Sequence, residues 1–186
     1  MKIIVGMTGA SGAIYGIRLL EVLNEDITLI VSAHGKELIE VETHYTLKDL
    51  KTNVHYYEDF QLDAQISSGS HIFDAMVVVP CSVSTLSKIA CGISDTLITR
   101  CASIALKERR TLILVPRETP LSTVHLQNMA ALSMQGVIVL PAMPGFYPHP
   151  STIEDAVDFV VGKILDQLHI DHHLFERWAD DGTSGV

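Results

Sequence analysis

The segment KIIVGMTGASG, residues 2–12, gives the clearest indication of the fold class. Its aliphatic run has the length and composition of a strand that is buried on both faces of a parallel sheet. Glycines at positions 6, 9 and 12 accompany this run, and a helical pattern begins directly after them. Small residues at such a turn let backbone N–H groups approach an anion at the start of a helix, although close packing of helix on strand also explains them. The segment predicts a strand–loop–helix unit.

Similar aliphatic runs recur along the chain, and helical patterns separate them. This alternation is typical of a parallel sheet with right-handed crossovers and helices on both faces. We therefore predict an α/β fold, a Rossmann-like or flavodoxin-like three-layer sandwich with a central parallel sheet. The predicted strands are residues 3–7, 27–31, 75–79, 111–115 and 137–140, with a peripheral strand at 54–57.

Capping residues mark where two of the predicted helices begin. Ser122 is a candidate N-cap. Ser151 and Glu154 have the spacing of a capping box at the start of the last helix. The predicted helices are residues 13–23, 96–107, 124–134 and 151 to about 168.

Composition and charge narrow the class of protein. With 186 residues, 47% of them hydrophobic, the chain predicts one domain, residues 1–186, with a C-terminal tail at about 169–186 that extends from the last helix. A net charge of −9 argues against nucleic-acid binding, which needs a basic surface. No apolar run reaches membrane-spanning length, and the spacing of the three cysteines matches no zinc pattern. We expect a cytoplasmic protein that binds neither membranes nor nucleic acid.

The loops after the predicted strands carry small or hydroxylic residues, and ligands bind at this edge of open parallel sheets. Residues 8–12 lack the Gly-Lys-Ser/Thr of a P-loop, and Ser32 stands where a nicotinamide dinucleotide site would place a carboxylate. Hydroxyls at Ser82, Ser84 and Thr85 suit a phosphomonoester, although Ser82 would also serve as a helix cap. The pattern favours a mononucleotide such as FMN.

Arg117 and Glu118 follow an aliphatic run and are flanked by Pro116 and Pro120. An exposed ion pair contributes only about 0–1 kcal/mol to stability, so such a pair would not by itself indicate a function. The prolines, however, fix this loop at the edge of the sheet where the ligand crevice should lie. We therefore predict a functional role for both charged residues.

Five short motifs then occur together along the chain: Thr8-Gly9-Ala10-Ser11-Gly12, Pro80-Cys81-Ser82, Leu106-Lys107-Glu108-Arg109-Arg110, Val115-Pro116-Arg117-Glu118-Thr119-Pro120 and Pro144-Gly145-Phe146-Tyr147. In this order they resemble the motifs of the UbiX-type flavin prenyltransferases. The resemblance extends from about residue 2 to Trp178.

This resemblance implies that the protein binds FMN, and it implies a set of catalytic residues. Ser11 and Glu42 would complete the reacting centre, with Glu118 and Lys107 acting at the donor. The FMN-binding residues that it implies are Gly9, Ala10, Ser11, Ser32, Ser82, Val83, Ser84, Thr85 and Arg117.

The resemblance also implies a pocket for the phosphate of a dimethylallyl donor. Lys107, Glu118, Tyr147 and Lys163 would form this pocket, with Trp178 near it. Lys163 departs from the arginine that the family often has at this position. A lysine keeps the positive charge but loses the bidentate geometry of a guanidinium.

The family reaction transfers a dimethylallyl group from dimethylallyl monophosphate to N5 and C6 of reduced FMN. The product, prenylated FMN, would pass to a partner decarboxylase of the UbiD type. We expect no metal, because the chain lacks the Asp-Asp-x-x-Asp motif with which diphosphate prenyltransferases hold magnesium, so cationic side chains would stabilise the leaving phosphate. The family resemblance also implies a homo-oligomer, often a dodecamer.

Two alternatives remain open at this point. An FMN-dependent cysteine decarboxylase of the same fold would carry an asparagine-containing motif where this chain has Pro144-Gly145-Phe146-Tyr147. A non-catalytic FMN carrier would need no donor pocket. Direct decarboxylation of an aromatic acid is disfavoured, because the sequence shows no separate pocket for such an acid.

Other reactive residues are expected to have no catalytic role. By the family resemblance, Cys81 is a small packing residue. His169, His172 and His173 follow the last predicted helix, and their spacing predicts exposure to solvent and not a metal site.

Overall fold

The computed structural model describes residues 1–50 and 52–178. The chain groups into two compact units, Met1–Ala142 and Met143–Val186, which are called the first and the second unit below. The expectation of one domain stays a prediction. Of the predicted tail, residues 179–186 lie outside the described residues.

The first unit contains a parallel sheet whose strand order is β3-β2-β1-β4-β5-β6. Every paired strand is parallel to its neighbour, so the predicted α/β fold with a central parallel sheet is confirmed. The strands are β1 (Lys2–Met7), β2 (Asp26–Val31), β3 (His55–Glu58), β4 (Ala75–Cys81), β5 (Thr111–Pro116) and β6 (Ile138–Val139).

Helices cover both faces of this sheet within the first unit. One face packs its aliphatic side chains, among them Ile4 and Met76, in a cluster with the buried residues of α4 and α5. On the other face α1 approaches so closely that a Cβ at Gly16 would lie 2.7 Å from Met7 Cε. The helices are α1 (Ala13–Val22), α2 (Ala33–Glu42), α3 (Leu47–Leu50), α4 (Val83–Ala90), α5 (Leu97–Lys107), α6 (Thr123–Met134) and, in the second unit, α7 (Ile153–Gln167).

Two details differ from the sequence prediction. The capping box of α7 is formed by Thr152 and Asp155, not by Ser151 and Glu154: Thr152 Oγ1 accepts from Asp155 N–H at 3.1 Å. Ser151 instead donates its N–H to the Asp155 carboxylate at 2.8 Å. No bounds were predicted for α2 or α4, although Ser82 was recognised as a possible helix cap, and both helices begin at strand ends that carry candidate ligand residues.

Candidate functional site

In the strand order β1 lies between β2 and β4, and the order in which the chain adds strands to the sheet reverses between β1 and β4. The loops after β1 and β4 leave toward helices on opposite faces, which opens a crevice at the carboxyl ends of these strands. Thr8 joins the two loops. Its hydroxyl donates to Pro80 O at 2.9 Å and accepts from Ser82 N–H at 2.7 Å. These two hydrogen bonds fix the loops after β1 and β4 relative to each other at the crevice.

The beginning of α4 offers hydrogen-bond donors to this crevice. Ser82 is the N-cap: its Oγ accepts from Thr85 N–H at 3.2 Å and lies 3.0 Å from Thr85 Oγ1. The N–H groups of Val83 and Ser84 belong to the first helical turn, whose amides have no partner within the helix. Hydroxyls and amides at the positive end of a helix suit a phosphate group.

Ser32 has the same role at the start of α2, where its Oγ accepts from Gly35 N–H at 3.1 Å. The loop after β1 packs directly against this helix, since a Cβ at Gly9 would lie 2.6 Å from His34 Cβ. Ala10, the next residue of the loop after β1, is also buried. The predicted FMN-binding residues thus follow three neighbouring strands, β2, β1 and β4, except Arg117, which follows the next strand, β5.

A carboxylate from the end of α2 closes the amino end of α1. Glu42 Oε2 accepts from Gly12 N–H at 2.8 Å and from Ala13 N–H at 3.1 Å. The Ser11 side chain also hydrogen-bonds to Glu42. Arg117, from the loop after β5, donates its Nε–H to Ser11 O at 2.9 Å. The structure therefore brings together three of the predicted site residues, namely Ser11, Glu42 and Arg117.

This network sets the protonation of Glu42. Burial raises the pKa of its carboxyl, but the hydrogen bonds from Gly12, Ser11 and Ala13, with the charge of Arg117, outweigh that effect. The resulting pKa lies below the ordinary value of 4.5. Glu42 is therefore ionised at neutral pH and able to accept a proton or a hydrogen bond.

Glu118 lies next to Arg117 in sequence, in the same loop at the carboxyl end of β5. Its side chain is exposed, and Oε1 accepts from Thr119 N–H at 3.0 Å. The carboxylate is thus held against its own loop.

Lys107 lies at the other edge of the sheet. It ends α5, just before β5 begins at Thr111, whereas Glu118 follows the last residue of that strand. The six residues of β5 span about 20 Å at roughly 3.3 Å per residue. Lys107 Nζ pairs instead with the Glu108 carboxylate. Within one chain the structure does not bring Lys107 to the loop of Glu118.

The second unit contains the other predicted donor residues. The rings of Tyr147 and Trp178 lie edge to face with centroids 5.5 Å apart, and Tyr147 packs in the same way on Phe159 at 5.7 Å. Lys163 Nζ donates to Asp166 Oδ2 at 3.2 Å. Arg177, which directly precedes Trp178, also binds Asp166. The sequence analysis missed Asp166 and Arg177, because no motif pointed to them.

Cys81 was expected to be a packing residue, and the histidines after α7 were expected to be exposed. Cys81 is buried, and burial raises the pKa of its thiol to about 12, so it packs as expected. The expectation of exposure was wrong for His172, whose side chain is only 4% exposed. Its Nε2 lies 3.1 Å from Asp166 Oδ1, so the histidine completes a buried hydrogen-bond network. His169 and His173 are exposed.

The described residues contain neither a metal-binding cluster nor a membrane-spanning helix. Across residues 1–50 and 52–178, no three His, Cys, Asp or Glu side chains gather so that they could hold a metal ion. In the same part of the chain, no helix has the length and apolar character needed to cross a membrane.

Comparison with known proteins identifies the family. Residues 1–165 match the Flavoprotein family. A flavin prenyltransferase UbiX from Thermoplasma acidophilum is 52% identical over 96% of this chain and 100% of its own length. The chain belongs to the UbiX family of flavin prenyltransferases. A second UbiX, from Methanocaldococcus jannaschii, is 51% identical over 96% of this chain and 99% of its own.

Two solved UbiX-type structures have nearly the same fold. A dodecameric FMN-dependent UbiX-like decarboxylase from Escherichia coli O157:H7 has a TM-score of 0.93 at 47% identity, covering 96% of this chain and 100% of its own. AnUbiX, solved in complex with FMN and dimethylallyl pyrophosphate, has a TM-score of 0.93 at 42% identity and covers 96% of this chain and 97% of its own. The UbiX-type resemblance predicted from the five sequence motifs is confirmed.

Cysteine decarboxylases are more distant. The FMN-dependent cysteine decarboxylase TvaF has a TM-score of 0.61 at 18% identity and covers 86% of this chain. A likeness at this level of identity shows a shared fold and nothing about the reaction.

Proposed function

We propose that this protein is a flavin prenyltransferase, which transfers a dimethylallyl group from dimethylallyl monophosphate to N5 and C6 of reduced FMN. The observation that carries the proposal is the network of Ser11, Glu42 and Arg117 at the strand ends of a chain that is 52% identical to a curated flavin prenyltransferase. The alternative of cysteine decarboxylation has only the distant likeness described above.

FMN fits the donors at the crevice. We infer that the first turn of α4, with Ser82, Val83, Ser84 and Thr85, binds the flavin phosphate, because its amides and hydroxyls are the groups that recognise a phosphomonoester. We assign the remaining contacts to Ser32 and Arg117, and to Gly9, Ala10 and Ser11. When bound, the reduced flavin supplies the nucleophilic ring atoms of the reaction.

The chain's own residues then have separate tasks. We assign the role of proton acceptor to Glu42, which is ionised, held by backbone N–H groups and hydrogen-bonded to Ser11. Arg117, anchored on Ser11 O, places a fixed positive charge at the carboxyl end of β5. A fixed cation stabilises the negative charge that develops on a leaving phosphate.

The binding of the donor phosphate by Lys107, Glu118, Tyr147 and Lys163, with Trp178 near it, is carried by the family resemblance. Two contacts support the roles assigned to residues of the second unit. Tyr147 packs on Trp178, and Lys163 is held by Asp166. Because Lys107 ends α5 at the amino edge of the sheet, we infer that it acts on the donor of a neighbouring subunit.

A homo-oligomer agrees with the surface of α6. Val124, Leu126 and Met134 are 59%, 52% and 82% exposed, which is unusual for so many apolar side chains on one helix. An E. coli relative is a dodecamer. We infer that this chain forms a homo-oligomer of the same kind, that it acts in the cytoplasm, and that its product serves a decarboxylase of the UbiD type.

The proposal is tested by incubating the protein under anaerobic conditions with reduced FMN and dimethylallyl monophosphate, followed by mass spectrometry of the flavin. We expect the mass to rise by one C5 unit, with and without a metal chelator. Unaltered FMN that stays bound would favour a carrier, and release of CO2 from a cysteinyl peptide would favour the decarboxylase. Either result would remove the proposal.

A further inference from the structure

One carboxylate in the second unit binds four hydrogen-bond donors. Asp166 Oδ1 accepts from Arg177 Nη2 at 2.7 Å and from His172 Nε2 at 3.1 Å. Asp166 Oδ2 accepts from Lys163 Nζ at 3.2 Å and from Arg177 Nη1 at 3.3 Å. A carboxylate that accepts this many bonds is held in one orientation and fixes its partners in turn.

The histidine gives this cluster its rigidity. Leu174 N–H donates to His172 Nδ1 at 3.2 Å, so Nδ1 carries no proton and Nε2–H is the donor to Asp166. The ring is packed against α7, because a Cβ at Gly162 would lie 2.6 Å from His172 Cε1. Asp166 therefore accepts a hydrogen bond from a buried ring that is itself fixed by Leu174 and α7.

The two cations are on the solvent side of the cluster. The side chains of Lys163 and Arg177 are 43% and 56% exposed, whereas that of Asp166 is only 18% exposed. Two positive charges share one negative charge, so the cluster keeps a net charge of about +1 that faces solvent. Arg177 also interacts electrostatically with Tyr147, and its sequence neighbour Trp178 packs on that ring.

We propose that Asp166 is a positioning residue that holds Lys163 and Arg177 beside Tyr147 as a pair of cations for the phosphate of the dimethylallyl donor. This inference rests on the proposed function, and it adds Asp166 and Arg177 to the donor site.

A free lysine side chain samples many rotamers, and ordering it on binding a ligand costs affinity. Asp166 lies three residues after Lys163 on α7, so the helix presents both groups on one face. The lysine is thus ordered before the donor arrives. Arg177 supplies the guanidinium that Lys163 lacks, although it lies at another position of the chain.

A purely structural role is the alternative, in which Asp166 only ties the segment after α7 to the helix. The two roles differ in what they change. A structural carboxylate affects thermal stability, and its loss adds to the loss of Lys163. A positioning carboxylate affects the KM for the donor, and its loss matters less once Lys163 is gone, because only Arg177 is then left to position.

The test compares Asp166→Asn, Lys163→Met and the double variant in the FMN-loaded protein. We expect Asp166→Asn to raise the donor KM about tenfold, the range for loss of one charge-assisted hydrogen bond, with kcat within about twofold. The double variant should bind the donor more weakly than Lys163→Met, because Arg177 also loses its partner, but by clearly less than the tenfold effect of Asp166→Asn alone. Isothermal titration with dimethylallyl monophosphate gives the same comparison without turnover.

Asp95→Asn is the matched control, because Asp95 Oδ2 also binds a lysine, Lys88, at 2.7 Å. This variant should leave the donor KM unchanged. Arg177→Met serves as a second probe, since Arg177 is exposed and its replacement leaves the buried part of the cluster intact. It should also raise the donor KM severalfold.

The inference is overturned if Asp166→Asn or Arg177→Met binds the donor as tightly as the unmodified protein. It is also overturned if the effects of Asp166→Asn and Lys163→Met are additive. A failure of the proposed function looks different, because the unmodified protein itself would then neither bind the donor nor alter FMN.

Discussion

Replacing Glu42 with glutamine should separate the chemistry of the site from its structure. Glutamine has the same shape and keeps a carbonyl oxygen that can accept from Gly12 and Ala13, which are now bonded at 2.8 and 3.1 Å. It removes only the negative charge. The loop at the start of α1 should therefore keep its conformation.

The expected loss of stability is small. Each bond to a charged acceptor is worth about 1.5–3 kcal/mol and a neutral one about 1 kcal/mol, and Glu42 is exposed, so screening reduces the difference. We expect Glu42→Gln to lower the free energy of unfolding by about 1 kcal/mol, a decrease in Tm of about 2–4 °C. Loss of a group that accepts a proton typically costs about 100-fold to 10,000-fold in rate. The kcat should therefore fall by at least about 100-fold.

The pH dependence of stability gives an independent check. The pKa of Glu42 is depressed in the folded state, so its contribution to stability is present above 4.5 and is lost as the pH falls through the lower, folded value. Glu42→Gln removes this contribution. The difference in the free energy of unfolding between the two proteins should therefore shrink below about pH 4.5.

The assay measures kcat by mass spectrometry of the flavin, FMN affinity by flavin fluorescence, and stability by thermal unfolding. Glu40→Gln is the control, since Glu40 is an exposed carboxylate on the same helix. An unchanged kcat in Glu42→Gln would show that Glu42 accepts no proton in the reaction. So would a loss of FMN binding as large as the loss of kcat, because that would make Glu42 a structural residue only.

Three other predictions concern single residues. Thr8→Val should lower the free energy of unfolding by about 1–3 kcal/mol in thermal or denaturant unfolding, because it leaves Ser82 N–H without its acceptor and removes one of the two hydrogen bonds to Pro80 O; Thr8→Ser should recover most of the loss. Glu118→Gln should abolish turnover while FMN affinity stays nearly unchanged, and normal turnover in this variant would count against its role at the donor. The pKa of Asp166 is lowered to about 2, because the hydrogen bonds from Arg177, Lys163 and His172 outweigh burial, so NMR should detect its protonation only near that pH and not near 4.

Much of the fold was predictable because the strands are continuous aliphatic runs, as in β1 and β5. The helix α2 was not predicted, since its sequence is polar and contains a glycine. The structure explains that glycine: a Cβ at Gly35 would lie 2.7 Å from Met7 O, so close packing on β1 outweighs helix propensity.

The site was predictable where residues directly follow strands, since the topology carries Ser11, Ser82 and Arg117 to one edge of the sheet. The motif around Lys107 did not indicate its position, which follows instead from the order of the elements, because a helix that leads into a strand ends at the opposite edge of the sheet. The contacts of Asp166 with His172 and Arg177 depend on how the chain folds back after α7, which no local pattern encodes.

The most direct test of the central claim is to label the donor. Dimethylallyl monophosphate that carries carbon-13 at C1 is incubated with the protein and reduced FMN without oxygen, and the flavin is examined by NMR. We expect the labelled carbon to become bonded to N5 of the flavin. Label found only in dimethylallyl alcohol or in unreacted donor, with the flavin unchanged, would contradict it.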